Sequence, residues 1–231
     1  NYLFILYSTI VKAFSAIRIP KPLRHKYFTI FGTLFLKMKK EDFAEIKKPL
    51  KEFKNTRDFF SRNIDLNVRP LTDSWISSPC DGLIKESGII DNETLIRVKG
   101  HNYNVKELVL DDGLINMYQK GSYVVIYLSP RNYHRFHIPI DGVIDNIKEI
   151  PASCFPVNDL GTKLVKNLYA VNERVVVNIN NGEHKICMII VGACAVRGIK
   201  ILKQKGQRVN KGEELGFFEL GSSIVLLSND S

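Results

Sequence analysis

The chain has 231 residues, 45% of them hydrophobic and 25% charged, which is enough apolar material for one well-buried core and a second small one. That balance excludes a disordered tail or a collagen-like polymer. The formal net charge of +9 belongs to one segment: residues 1–62 carry 14 Lys/Arg against 5 Asp/Glu, whereas residues 63–231 carry 19 of each.

Residues 1–40 hold eight cations and no acid, interleaved with Phe, Tyr, Ile and Leu. This mixture suits an anionic membrane surface better than a nucleic-acid groove, so no nucleic-acid partner is expected. Tyr2 to Ile17 is interrupted only by Ser8, Thr9, Lys12 and Ser15, yet falls short of the roughly 18–20 apolar residues that span a bilayer. The first residue is Asn, so an upstream anchor or targeting segment stands beside peripheral docking as an expectation. From Pro22, the residues Leu23, Tyr27, Ile30, Phe31, Leu34 and Met38 recur at helical spacing with Arg24, Lys26, Lys37 and Lys39 at the flanks. The stripe fits the protein's own core as well as a membrane. Glu41 to Lys54 reads as another exposed helix, and Thr56 to Arg62 leads onward through Phe59 and Phe60.

From about Asn63 short β-branched runs alternate with turn residues, the pattern of an antiparallel, β-rich domain. The expected fold class is therefore α+β, with amphipathic helices over 1–62 and a β-rich catalytic domain over 63–231. The clearest hairpin joins Arg174–Asn180 to His184–Val191 through Asn181-Gly182, a dipeptide suited to a type I′ turn. Further strands are expected at Leu83–Ile90, Thr94–Val98, Tyr123–Leu128, Gly142–Ile150, Gly198–Leu202 and Gly216–Leu227, with a short helix at Val105–Leu110. Cys80, Cys154, Cys187 and Cys194 form no C-x-x-C pair and read as reduced packing thiols.

Three small sites place a reactive group beside a turn. Asp81 lies in Pro79-Cys80-Asp81-Gly82, although Asp-Gly is also a common structural turn. His134 and His137 lie in the run Ser129 to Pro139, after the apolar strand Tyr123–Leu128. An H-x-x-H pair can ligate zinc, but no H-E-x-x-H or cysteine cluster supplies further ligands, so no metal is expected; two histidines hydrogen-bonded in a loop are the plainer reading. Leu220-Gly221-Ser222-Ser223 breaks an otherwise apolar strand. An Asp, a His and a Ser in that order are the parts of a hydrolytic triad, yet the G-x-S-x-G elbow is absent, and the serine's nearest carbonyl is that of Gly221.

In order, the chain holds Thr56-Arg57-Asp58-Phe59-Phe60-Ser61-Arg62, Asn67-Val68-Arg69-Pro70, Pro79-Cys80-Asp81-Gly82, the run Tyr127 to His137, Pro156-Val157-Asn158, Asn172-Glu173-Arg174-Val175, Val191-Gly192-Ala193, Lys211 to Phe218 and Leu220-Gly221-Ser222-Ser223. Over about residues 27–231 it resembles phosphatidylserine decarboxylase, a pyruvoyl enzyme family. Cys80 and the run Cys194-Ala195-Val196-Arg197 depart from the family's usual residues at positions bearing on pocket lining and packing. The resemblance implies self-cleavage between Gly221 and Ser222, with Ser222 attacking the Gly221 carbonyl, His137 as base and Asp81 orienting it. Ser222 would become the pyruvoyl cofactor, which forms a Schiff base with phosphatidylserine, and His134 would protonate the carbon after decarboxylation. It further implies a β chain of residues 1–221, an α chain of residues 222–231, a homodimer, and association with the endoplasmic reticulum, the mitochondrial inner membrane or a bacterial membrane. Two rivals remain at this point: a serine hydrolase using the same triad, and a non-catalytic lipid-binding module whose Lys205–Phe218 stretch is similar to a carrier-domain hairpin.

Overall fold

The computed structural model describes residues 9–11, 13–90, 95–98, 101–157, 161, 164–193 and 198–230. Its strands are β1 (Leu83–Ile89), β2 (Leu95–Val98), β3 (His101–Asn104), β4 (Ser122–Leu128), β5 (Arg135–His137), β6 (Gly142–Ile150), β7 (Arg174–Asn180), β8 (Lys185–Gly192), β9 (Ile199–Ile201), β10 (Arg208–Val209), β11 (Glu214–Phe218) and β12 (Ser222–Ser228). Successive side chains of a strand point to opposite faces, and in β12 both faces are buried: Ile224 and Leu226 on one side, Val225 and Leu227 on the other. The same holds for Val175, Val176 and Val177 of β7. These strands form an antiparallel seven-stranded sheet in the order β1-β4-β12-β8-β7-β6-β10, so β12, nearly last in sequence, lies inside the sheet between β4 and β8.

A three-stranded sheet, β5-β11-β9, covers one face, where Phe136, Leu215 and Phe218 pack against Val177, Met188, Ile190 and Ile224. Short helices at Val105–Val109 and Leu168–Val171 cover the other with Val105, Leu108, Leu168 and Tyr169. Arg174 pins these helices to the sheet: its guanidinium is buried and donates to the carbonyls of Leu108, Ala170, Asn172 and Glu107 at 2.6–3.0 Å. The α+β reading is thus the observed class.

The N-terminal helical segments build a third cluster. The helix Arg24–Ile30 runs into a π-helical turn at Phe31–Phe35, burying Phe28, Leu36 and Met38 against Phe53, Phe59 and Phe60. The Phe28 and Phe59 rings stack at 5.0 Å and Phe53 meets Phe59 edge-on at 5.1 Å. The predicted stripe divides. Met38 is buried and Phe31 packs against the cluster, whereas Leu23, Tyr27, Ile30 and Leu34 face outward, Leu34 and Phe35 at 68% and 70% exposure. Among the described residues, no helix is long and apolar enough to cross a membrane.

Four local expectations need correction. Glu41–Lys54 is not one helix: α-helix ends at Ala44, where Glu45 and Lys47 bond instead to Asp65 and Asn63 and Ile46 bridges to Ile64, and a 3₁₀ turn follows Pro49 at Leu50–Glu52. The 174–191 hairpin turns one residue later than predicted. Asn181 pairs with His184, and Gly182, at φ +98°, occupies the first central position as in a type II′ turn. The single strand predicted at Gly216–Leu227 is two strands in different sheets, β11 and β12. β3, β5 and β10 carry no strand expectation in the sequence reading. Cys80, Cys154 and Cys187 are free thiols, as expected; Cys194 and Thr94 lie outside the described residues.

Candidate active site

The passage from β11 to β12 places the Leu220-Gly221-Ser222-Ser223 run. β11 ends at Phe218, whose amide donates to the carbonyl of His134 at 2.9 Å. The chain then crosses from the small sheet to the large one through Glu219, Leu220 and Gly221. Leu220 packs against the Phe28/Phe59/Phe60 cluster, and Glu219 lies 3.6 Å from Arg57. Gly221 has φ +55°, a left-handed conformation costly for any residue with a Cβ, and a Cβ there would meet the Ala193 carbonyl at 3.2 Å. Ser222 then enters β12, its backbone in register with Leu128 and Gly192; its side chain lies outside the described part of the structure. The neighbouring Ser223 is fully buried, and its Oγ has no hydrogen-bond partner among the described residues.

His137 is fixed from both ring nitrogens. Gly212, in a turn at φ +85°, aims its carbonyl at Nδ1 at 2.9 Å; since a carbonyl only accepts, Nδ1 carries the proton. Nε2 is then a lone pair and accepts from the Tyr133 hydroxyl at 3.2 Å. Burial pushes the Tyr133 phenol up, which keeps it a donor. The His137 amide donates to the Pro79 carbonyl at 2.7 Å, bringing the Asp81 loop alongside.

Asp81 and His137 line one cavity of about 830 Å³, together with Arg69, Tyr133 and Gly212. The Asp81 carboxylate, however, is gripped by Arg69, from Nε at 3.0 Å and Nη2 at 2.8 Å. The same guanidinium reaches Glu45 at 3.0 and 3.2 Å, and the two carboxylates raise the Arg69 pKa. The described bonds of Asp81 therefore go to Arg69, and those of His137 go to Gly212 and Tyr133.

His134 is the interior histidine, 0% exposed, with the Phe60 ring centred 4.0 Å away. Its Nδ1 donates to the Asn132 carbonyl at 2.8 Å, and its buried Nε2, a lone pair in that tautomer, has no partner among the described residues. Burial, reinforced by the nearby Arg62 charge, lowers its pKa to about 3, so the ring rests neutral. Arg62 donates from Nη2 to the carbonyls of Arg131 at 2.6 Å and Asn132 at 3.1 Å, while Arg135 donates from Nε to Ser61 O at 2.9 Å. The segment ending at residue 62 is thus wired into the 129–137 run. Among the described residues, no cluster of three His, Cys, Asp or Glu comes together around either histidine.

The structure therefore gathers Asp81 and His137 at one cavity and brings the backbone of His134 against the approach to Gly221 and Ser222. Sequence reasoning assigned no role to Tyr133, Arg69, Gly212, Phe60 or Arg62. All five sit inside the quoted motifs, so the signal was present, but their pairing is long-range.

The model of the phosphatidylserine decarboxylase family matches residues 56–231. The phosphatidylserine decarboxylase proenzyme of Anoxybacillus flavithermus is 34% identical over 207 residues, covering 88% of this chain and 77% of that protein. That of Bacillus subtilis is 33% identical, covering 96% of this chain and 82% of its own length. That of Vibrio parahaemolyticus is 36% identical, covering 77% and 70%.

Proposed function

The chain belongs to the phosphatidylserine decarboxylase family of enzymes, and from that membership we propose that it is a proenzyme that cuts itself between Gly221 and Ser222 and then converts phosphatidylserine to phosphatidylethanolamine. The observation that carries this reading is Gly221: a left-handed glycine at the seam between two sheets, directly before a serine. Such strain-tolerant positions concentrate where a backbone must react.

In the cut, the Ser222 hydroxyl adds to the Gly221 carbonyl and the peptide C–N bond breaks, leaving an ester and a free amine at residue 222. His137 takes the hydroxyl proton, its Nε2 being the lone pair that the tautomer leaves available. Asp81 serves as the orienting acid once its carboxylate leaves Arg69. Elimination then releases the Gly221 carboxylate, and hydrolysis of the resulting enamine releases ammonia and leaves a pyruvoyl group at position 222. The neighbourhood fits such a group in one respect: the Oγ of the adjacent Ser223 is buried and has no hydrogen-bond partner among the described residues. The pyruvoyl group supplies an electrophilic carbonyl that binds the substrate amine and takes up the electrons released with carbon dioxide. His134 supplies the proton to the substrate carbon. Because it rests neutral, it must first acquire that proton at Nε2.

Residues 1–62 are the membrane-associating unit, and 63–231 the catalytic unit. Support comes from the cationic segment 1–40 and the outward Leu23, Ile30, Leu34 and Phe35, which suit peripheral contact with an anionic leaflet.

Denaturing intact-mass analysis tests the proposal. The wild-type chain is expected as fragments 1–221 and 222–231, the second blocked and reactive with hydroxylamine, whereas Ser222→Ala stays whole. A folded wild type that remains intact in the presence of phosphatidylserine vesicles would overturn it.

A further inference from the structure

Among the described residues two arginines are deeply buried, and only one has all its nitrogens bonded. Arg174 places all three guanidinium nitrogens on carbonyls. Arg62 is 3% exposed, yet only its Nη2 is bonded; Nε and Nη1 are buried with no partner among the described residues. A buried cation with unpaired donors costs several kcal/mol unless an anion meets it. Asp42, Asp81 and Glu45 are near enough to favour its charge, as is Tyr133, but none bonds to it: Asp42 holds Arg131, while Asp81 and Glu45 hold Arg69. Asp81 and Tyr133 also line the 830 Å³ cavity; Arg62 does not line it but lies behind its wall, bonded to the carbonyl of Asn132, the residue before Tyr133.

The connection to His134 runs through one atom. The Asn132 carbonyl accepts from Arg62 Nη2 at 3.1 Å and from His134 Nδ1 at 2.8 Å. That carbonyl fixes the tautomer, and burial against the apolar Phe60 ring, reinforced by the adjacent positive charge, opposes a second proton on the imidazole. Among the described residues, His134 has no carboxylate partner to offset them.

We propose that Arg62 is the oxyanion-binding residue of the site, that it receives the anionic head group of the lipid substrate on its free Nε and Nη1, and that this occupancy lets His134 Nε2 accept a proton. The inference rests on the decarboxylase reading and adds the residue that couples substrate binding to proton transfer. Before the anion arrives, burial and the Arg62 charge together keep His134 neutral. Once it is neutralised, the substrate's ammonium passes one proton to Nε2, giving the free amine that the reaction needs. The same proton returns from Nε2 to the substrate carbon after carbon dioxide leaves, and His134 ends neutral as it began. Arg62 acts on that transfer through charge and through Asn132, as a positioning residue for His134 as well as an anion ligand.

The test uses the full chain carrying Ser222→Ala, so that neither cleavage nor turnover is required, with ¹⁵N-labelled histidine and long-range ¹H–¹⁵N spectra from pH 5 to 8. His134 is assigned by the signal lost in His134→Gln. The expected result is a neutral Nδ1–H ring whose Nε2 resonance moves on addition of a short-chain phosphatidylserine, with the titration midpoint rising by about one pH unit or more. Inorganic phosphate is expected to produce the same shift at higher concentration, and Arg62→Met to abolish both responses while Arg62→Lys keeps part of them. A His134 signal indifferent to the lipid in the Arg62 protein overturns the proposal, whether or not the variants fold, as does an equal response in folded Arg62→Met. If cut, lipid-free wild type already shows the shifted signal, the anion is the new Gly221 carboxylate and the lipid assignment is overturned. Failure of the intact-mass test would leave this binding result standing, so the two readings fail separately.

Discussion

His134 makes the stability of the uncut chain depend on pH, and its surroundings fix the sign. The ring is 0% exposed, and burial, aided by Arg62, lowers its pKa from 6.5 to about 3. In the unfolded chain the same group titrates near 6.5. Between these values the unfolded state binds a proton that the folded state refuses, so the contribution is complete above pH 6.5 and is lost as pH falls toward 3. At pH 5 the unfolded imidazole is about 97% protonated, which costs the folded state about 2 kcal/mol relative to pH 7.5; the same figure follows for any folded value below about 4. For a chain of this length 1 kcal/mol moves Tm by about 2–4 °C, so His134 alone lowers Tm by about 4–8 °C between pH 7.5 and 5. Calorimetry on Ser222→Ala and on Ser222→Ala/His134→Gln at both pH values isolates the effect, since the remaining titrating groups are common to the two. If the double variant loses as much Tm over this range as its parent, the argument from burial is refuted.

Gly221→Ala places a Cβ in a left-handed conformation worth roughly 1–2 kcal/mol of strain, with the Ala193 carbonyl at 3.2 Å. In the uncut Ser222→Ala background it should lower Tm by about 2–8 °C, and an unchanged Tm would show that the glycine is not needed. Tyr133→Phe removes the donor to His137 Nε2 but leaves the Gly212 acceptor, so His137 should keep its Nδ1–H tautomer in ¹⁵N spectra; a majority of Nε2–H would refute the assignment. Leu34→Ser/Phe35→Ser alters two side chains that face outward, so it should leave Tm nearly unchanged. Sedimentation with phosphatidylserine vesicles should nevertheless weaken by about tenfold or more, from the loss of at least about 1.4 kcal/mol of apolar burial, and equal binding would remove the outward face from the membrane argument. These side chains are a sharper probe than deleting residues 1–40, which would also take Phe28, Leu36 and Met38 out of the third core.

The β-rich domain was legible because apolar runs and turn residues report local geometry. β6 matched its predicted span, and β1, β4, β7 and β8 matched to within a residue at either end. The break at Leu220-Gly221-Ser222-Ser223 was recognised as a break but not as a change of sheet. Both flanking strands are apolar on each face, and nothing in such a run says which neighbours it pairs with. The helix expected over Glu41–Lys54 stops at Ala44, and the long-range bridge of Ile46 to Ile64 that interrupts it has no local signal. In the site, residue types and order were visible, whereas partners were not. Asp81 was expected beside a histidine, and its described bonds are to Arg69, 12 positions earlier in the sequence, which itself reaches back to Glu45. Arg62 shows the limit most plainly: its sequence context marks a motif, but only the fold reveals that two of its donors are buried and unpaired.

The position of β12 also determines what a cut after Gly221 can do to the fold. The strand that would become the separate chain lies inside the sheet, in register with β4 from Ser222↔Leu128 to Ser228↔Ser122 and with β8 from Ser222↔Gly192 to Ser228↔Ile186. Ile224, Val225 and Leu227 are fully buried, each worth roughly 1.5–3 kcal/mol on burial. Beyond the strand, Ser122 donates to the Asp230 carbonyl, the Lys185 amide donates to Asn229 Oδ1, and His184 meets the Asp230 carboxylate at 2.7 Å. The covalent link at Gly221 is therefore one tie among many. Breaking it relaxes the chain where it turns between sheets and leaves residues 222–230 held on both edges. That placement reconciles the two demands on the segment, because the reacting end lies at a seam where the backbone bends freely and the rest of the strand anchors whatever group the reaction leaves at position 222.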